Sequence, residues 1–304
     1  MSNRTLTTSK IIKNDEFYTR ISDIDAELKN YKDELKGKKG FLNCDGPQSA
    51  FLKYFRERYD EFGLADLKAI GRDTENSEWV LSGLTSSETI PDGDFRNMDS
   101  IHFLLDCDVV ITNPPFSLFR SWFDTVMSAQ KDFIVLSNQN AVAYKNVFPY
   151  IKENKVGVGC GGMSIAMDFD TPDHDVKSIS ALTWMTSFHK PGKKLTLTES
   201  YYADTSKYPK YDNYDAINVN KIKDIPYDYA GIMGVPITFI QYMPGDFNII
   251  ALASGHTRSS TEEKILNEIG YIPGSIEHRG VPIVNGKLKY ARALIKNNNP
   301  GKFF

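Results

Sequence analysis

The sequence is poor in cysteine. Its three, Cys44, Cys107 and Cys160, stand far apart, are odd in number and form no CxxC pair. That argues against a disulfide framework and a cysteine-ligated zinc, and suits a reducing compartment. Long apolar runs are missing as well: none approaches the roughly 20 residues of a membrane-spanning helix. The opening "MSNRTLTTSKIIKNDEF" lacks the apolar segment of a secretory signal. Net charge is scarce, because 36 Lys and Arg against 39 Asp and Glu leave a formal −3. A uniformly basic coat is excluded, but a local basic groove is not, since only the contacted face must neutralise a polyanion. Internal repeats and low-complexity tracts are absent. A cytoplasmic protein of one large or two modest domains, with no membrane partner, is expected.

What is present, 41% hydrophobic and 25% charged residues, is enough for a sizeable core. Ile24, Leu28, Tyr31 and Leu35 recur at helical intervals before Gly37 and predict a first amphipathic helix. "GFLNCDG" then reads as a strand, "SAFLKYFRERYDEFG" as a helix stopped by Gly63, and "DLKAIGRD" as a second strand. After a polar excursion come strand "CDVVITN", helix "SLFRSWFDTVMSAQ", strand "KDFIVLSN" and helix "AVAYKNVFPYIKENK". Apolar strands alternating with helices predict an α/β fold with a parallel sheet covered on both faces. Ligands in such folds bind outside the carboxyl ends of the strands. Beyond about residue 155 the texture turns Gly- and Tyr-rich, with many turns. The last fifty residues carry Arg258, Lys264, Arg279, Lys287, Lys289, Arg292, Lys296 and Lys302 against four Glu, so basic residues concentrate there.

One stretch carries chemistry. In "DVVITNPPFSLF" an apolar strand ends in Asn113-Pro114-Pro115-Phe116. Two prolines remove two backbone donors and fix φ near −65°, so the carbonyls are held in set directions. An Asn amide beside a rigid Pro carbonyl can accept both hydrogens of an exocyclic amine, and the Phe ring can stack on a planar base. The plainer reading is a strand terminator, because Asn-Pro favours turns.

NPPF after "DVVIT" resembles the (D/N/S)-P-P-(Y/F) motif of S-adenosylmethionine-dependent amino methyltransferases. The resemblance implies that Asn113, Pro114, Pro115 and Phe116 are catalytic, binding the target amine and stacking on its base. "NDEFYTR" is similar to the segment that packs on the methionine end of the cofactor, which implies roles for Phe17, Tyr18 and Thr19; Arg20 stands where the family often has Pro. "GFLNCDGP" occupies the place of the cofactor-binding F-x-G-x-G turn. It keeps Phe41 but puts Asn43 and Asp45 near the expected glycines, with Cys44 between them and only Gly46 as a glycine. Asp73 in "GRDTE", with Glu75 close behind, falls where an acidic residue binds the ribose hydroxyls, or is a solvated loop carboxylate. Asp94 and Phe95 in "DGDFRN" resemble the pair that holds the adenine.

Taken with "YKNVF", "IKENK" and "YPKYDNYDAINVNKIKDIPYDYAGIMGVPITF", these segments span most of residues 14–240 and resemble the EcoRI-type N6-adenine DNA methyltransferases. The motif order is similar to the gamma arrangement. The resemblance implies a Rossmann-like class I methyltransferase sheet over residues 1–155. Residues 156–304 would complete that sheet and add a mixed target-recognition region. It also implies S-adenosylmethionine as cofactor with no metal, double-stranded DNA as partner, a flipped-out adenine as substrate, a bacterial or phage restriction-modification setting and action as a monomer. The alternatives are a protein glutamine N5-methyltransferase, whose substrate presents a similar planar nitrogen, and an inactive DNA-binding relative. Trp184 is a core residue or a second aromatic against the flipped base. The Tyr and Lys cluster at 201–223 is a DNA contact or a structural surface.

Overall fold

The computed structural model describes residues 18–170, 176–188, 193–243, 245–254, 267–268, 270–271 and 280–301. The chain divides into two compact units, one running to Gln139 and including Val158–Phe188, the other formed by Asn140–Gly157 and the chain after Phe188.

The strands of the first unit are β1 (Tyr18–Thr19), β2 (Lys39–Leu42), β3 (Asp66–Arg72), β4 (Trp79–Ser82), β5 (Ser87–Ile90), β6 (Val109–Thr112), β7 (Asp132–Asn138), β8 (Gly157–Asp170) and β9 (Val176–Thr186). They form one sheet in the order β1-β8-β9-β7-β6-β2-β3-β4-β5. The four strands at its centre, β7, β6, β2 and β3, pair in parallel as the alternation of strands and helices predicts. The chain leaves β2 towards β3 on one side and returns through β6 on the other, so the topological switch point lies between β2 and β6.

Helices α1 (Ile21–Leu28), α2 (Lys32–Leu35), α3 (Ala50–Phe62), α4 (Met98–Asp106) and α5 (Phe119–Ser128) belong to this unit. The first predicted helix is thus split, a 3-10 turn at Lys29–Tyr31 separating α1 from α2. Ser49 caps α3 by accepting from Leu52 N at 3.0 Å, and Gly63, at φ 60°, closes it in the left-handed conformation. Phe51, Tyr54, Phe55 and Phe62 of α3 pack with Leu42, Leu67, Val109 and Ile111. On the opposite face Phe41 meets Phe103 of α4, and Trp122 and Phe123 of α5 stand edge-on to Phe133. Every residue of β6 is therefore buried, as a strand covered on both faces requires.

Two expectations change. The polar excursion before β6 contains the antiparallel strands β4 and β5, which extend the sheet beyond β3; their short, mixed pattern carries little periodicity. The single helix expected over "AVAYKNVFPYIKENK" is a 3-10 segment at Gln139–Ala143 followed by α6 (Phe148–Lys152), which lies in the second unit. Pro149 suits the first turn of a helix but would break a longer one, lacking a donor and clashing with the preceding turn.

The second unit holds β10 (Ile217–Asn218), β11 (Ile232–Pro236), β12 (Phe247–Ala253), β13 (Ile283–Val284), β14 (Lys287–Leu288) and β15 (Arg292–Asn297). Four of these form a sheet in the order β10-β11-β15-β12, and β13 pairs with β14. The Tyr-rich segment is largely structural here. Tyr208, Tyr211 and Tyr214 are buried, and Tyr211 donates to Asn218 Oδ1 at 3.0 Å, so for these three the structural alternative holds and a DNA-facing role does not. Tyr202 alone of that cluster's described large apolar side chains is strongly exposed, at 71%.

Candidate functional site

The loops after β2 and β6 flank the switch point, where a doubly wound sheet opens a crevice for ligands. Asn113 follows the last residue of β6, Pro114 is buried, and half-buried Phe116 opens a 3-10 turn that leads into α5. Asn113 Nδ2 donates to Thr19 Oγ1 at 3.2 Å. That bond uses the N–H end of the amide and turns its carbonyl end the other way, the orientation an amine acceptor needs.

Thr19 reaches Asn113 although β1 is at the sheet edge, four places from β6. Positive φ at Gly162 and Ser164 within β8, and at Ala181 within β9, marks irregular points at which these long strands bend. Glu27 of α1 secures β8 just before that point. Its carboxylate accepts from the N–H groups of Cys160 at 2.7 Å and Gly161 at 2.9 Å, and from the Tyr31 hydroxyl at 2.7 Å. Gly159 has to be glycine, since a Cβ there would lie 2.2 Å from Glu27 Oε1. Sequence reasoning missed Glu27, which looks like any helix carboxylate. Of the DEFYT segment, Phe17 lies outside the described residues and only the backbone of Tyr18 is described. Trp184 is a core residue, 1% exposed and edge-on to Phe51.

The turn after β2 compensates for its missing glycines from a neighbouring strand. A Cβ on Gly46 would fall 2.0 Å from Arg72 O, and one on Gly71 would fall 2.2 Å from Gly46 N. The turn and the end of β3 thus touch backbone to backbone, held by Asp45 N donating to Ile70 O at 3.0 Å. Gly71 supplies what the turn's own sequence lacks. Within the turn, Asn43 is 2% exposed; its Oδ1 accepts from buried Trp122 Nε1 at 2.9 Å, while its Nδ2 is buried with no hydrogen-bond partner among the described residues. Indole N–H is a donor only, so Trp122 fixes the amide with its donor end turned away, towards no acceptor among the described residues.

Asp45 is buried, accepts from Thr112 Oγ1 at 2.6 Å and forms no ion pair with a described Lys or Arg. Burial pushes its carboxyl up to about 7, with the hydroxyls of Thr112 and Ser49 opposing. Burial, then the Asp45 charge, raises the Cys44 thiol too, so no thiolate nucleophile is offered. Between pH 3.8 and about 7 the folded protein then binds more protons at Asp45 than the unfolded chain does, and its stability falls as pH rises through that window. Asp45→Asn should remove this slope, which is about 1.4 kcal/mol per pH unit. Thermal melts of the ligand-free protein from pH 5 to 8 check it, and parallel curves for the two proteins would refute the buried carboxyl.

Asp73 directly follows β3. Its carboxylate caps its own loop by accepting from Glu75 N at 2.8 Å, which lowers its pKa. Asp94 is gripped by Arg96, which donates through Nε at 2.8 Å and Nη2 at 2.6 Å and holds the carboxyl below its ordinary range. Phe95 is 5% exposed, with Arg96 over its ring. The sequence-predicted residues thus fall into one group at the switch point, Thr19, Asn43, Asp45 and Asn113, and a flank of Asp73, Asp94 and Phe95 following β3 and β5. Among the described residues no cluster of His, Cys, Asp and Glu suits a metal ion, and no helix is long and apolar enough to cross a membrane.

The family described as adenine-specific methyltransferase EcoRI matches residues 5–90 and 81–298. The chain is 37% identical to the type II methyltransferase M.EcoRI of Escherichia coli, with 97% of each chain covered. It is 35% identical to M.MgeORF184P of Mycoplasma genitalium (95% of this chain, 97% of that one) and 33% identical to M.MpnI of Mycoplasma pneumoniae (95% and 96%), both type II methyltransferases. No solved structure matches the chain.

Proposed function

We infer the reaction from membership of a family: the chain belongs to the EcoRI adenine-specific methyltransferases. It is a site-specific DNA methyltransferase acting on adenine. The finer reading is methylation of N6 on an adenine turned out of the duplex, with S-adenosylmethionine as donor. The protein would act as a monomer in the cytoplasm, with the region after about residue 155 reading the sequence. The observation that carries it is the Asn113-Pro114-Pro115-Phe116 turn at the carboxyl end of β6, its amide anchored by Thr19.

The residues present suit that cofactor. A buried donor with no acceptor among the described residues, Asn43 Nδ2, matches its carboxylate. A buried carboxylate with no described cation beside it, Asp45, matches its positive charge. Asp73 would meet the ribose hydroxyls, and Asp94 with Phe95 the adenine; the Asp94 carboxylate keeps a lone pair for an amine beside its three bonds from Arg96. When bound, S-adenosylmethionine supplies an electrophilic methyl group. The protein's own work is orientation. An amino nitrogen conjugated with a purine is a poor nucleophile, and Asn113 Oδ1 with the Pro114 carbonyl, accepting its two hydrogens, localises and aims the lone pair. Phe116 recovers part of the stacking that base rotation breaks, itself a cost of a few kcal/mol. With Cys44 held as a thiol, no covalent step is needed.

Treating plasmid DNA with the protein and S-adenosylmethionine, then sequencing for modified bases, tests the reading; modified adenines at one recurrent sequence are expected, and unmodified DNA or methylated protein glutamine refutes it. The cofactor assignment has its own test. Trp122→Phe keeps the packing but frees the Asn43 amide, and should weaken S-adenosylhomocysteine binding about tenfold. Binding of 5′-methylthioadenosine, which lacks the amino-acid portion, should not change. Isothermal titration reads both, and equal losses for the two ligands would refute the pairing of Asn43 with the carboxylate.

A further inference from the structure

Arg292, the first residue of β15, is 9% exposed, yet no described acidic side chain pairs with it. Its Nη1 reaches only the carbonyls of Tyr290 at 3.5 Å and Ala291 at 3.4 Å, its Nε is buried without a hydrogen-bond partner among the described residues, and the Tyr211 hydroxyl stands beside it. A guanidinium stays charged at any working pH, and an enclosed charge without a counter-ion is costly. Where no described side chain supplies the counter-ion, a ligand can bring the anion.

The chain just before it carries two lysines, which suit a polyanion. Residues 283–290 form a hairpin and its exit, with Lys287, Leu288 and Tyr290 exposed, Tyr290 by 89%. Asn285 and Gly286 turn it with φ of 49° and 71°, a geometry that suits a tight hairpin. Asp212 holds the turn rigid by accepting from Asn285 N at 3.1 Å and Gly286 N at 2.7 Å, and Asn213 accepts from Ile283 N at 3.0 Å. The Asp212 carboxylate is thus spent on the turn's own amides, while Lys287, Lys289 and Tyr290 stand two to five positions before Arg292 in the chain.

We propose that Arg292 is a binding site for a backbone phosphate of the DNA, with Lys287 and Lys289 alongside. This rests on the reading of the protein as a DNA methyltransferase. Phosphate fits better than a base edge, because an enclosed guanidinium cannot extend into a groove, whereas phosphates stand out from the duplex and can come to it. Arg292, Lys296 and the other described basic residues of this region are separated by the structure: Arg292 is enclosed and Lys296 exposed. Arg258, Lys264, Arg279 and Lys302 lie outside the described residues.

The test is duplex binding by the full chain over a KCl series, with S-adenosylhomocysteine present. Arg292→Met should weaken binding about tenfold on site-containing and scrambled duplexes alike and flatten the slope of log K against log[KCl] by about one. Lys287→Gln with Lys289→Gln, both on the surface, should flatten it as well, which keeps the proposal falsifiable if Arg292→Met fails to fold. An unchanged slope in the double variant, or a loss confined to the site-containing duplex, overturns the proposal; the latter would make Arg292 a base reader. If the unaltered protein binds no duplex, the methyltransferase reading itself fails.

Discussion

Asn113→Ala should lower methyl incorporation into duplex DNA by about a hundredfold or more, the size of effect seen when one well-aimed polar group is removed from a transition state. The substitution deletes the acceptor that aims the amine and the donor that meets Thr19 at 3.2 Å. It leaves untouched the Trp122–Asn43 pair and the Thr112–Asp45 bond of the cofactor turn. Affinity for S-adenosylhomocysteine should therefore change less than about threefold if, as proposed, the deleted amide aims the amine and does not hold the cofactor. Asn113→Asp separates the acceptor from the donor. A carboxylate still accepts, and can take a hydrogen from the Thr19 hydroxyl, so activity should recover to within about tenfold of the unaltered protein. Tritiated methyl incorporation measures the rates. Near-normal rates in Asn113→Ala would remove this residue from the mechanism, and a cofactor affinity that collapses in parallel would move it to the cofactor site.

Glu27→Ala is expected to cost stability on the order of 3 kcal/mol, since one buried hydroxyl and two part-buried backbone N–H groups lose their acceptor and a buried orphan costs about 1–3 kcal/mol. The donors are the Tyr31 hydroxyl and the backbone N–H groups of Cys160 and Gly161. In a chain of this size the melting temperature should fall by about 10 °C. Glu27→Gln is no remedy, because its NH2 would face one of the donors. Activity should fall further than the folded fraction does, as Glu27 secures β8, and β8 pairs with the strand that carries Thr19. Calorimetry and methylation rates at a temperature where both proteins are folded decide it; a loss under about 1 kcal/mol would mean that water replaces the carboxylate.

The parallel strands β2, β3, β6 and β7 and the helices between them were legible from local pattern. Short apolar runs, and helical spacing between them, are short-range properties of the chain. So was the Asn-Pro-Pro-Phe turn, because two prolines after an apolar strand stiffen the chain wherever they occur. The strands β4 and β5 were not, since short antiparallel hairpins with exposed faces carry no strong period. Nor was the run of tyrosines at 208–214, where each ring looks as fit for a surface as for a core.

By itself, then, the sequence determined the α/β order, the family and the place of the Asn113 amide at the end of β6, all of which depend on neighbours along the chain. Only the tertiary structure decided how the site is held. Thr19 with Asn113, Asp45 with Thr112, Trp122 with Asn43 and Glu27 with Cys160 join residues 94, 67, 79 and 133 positions apart. The same holds for Gly71 against Gly46, which answers for the glycines missing from "NCDGP". Such pairs exist only once the sheet brings strand ends together, and a hydrogen bond or a backbone contact has no signature in the local pattern of either partner.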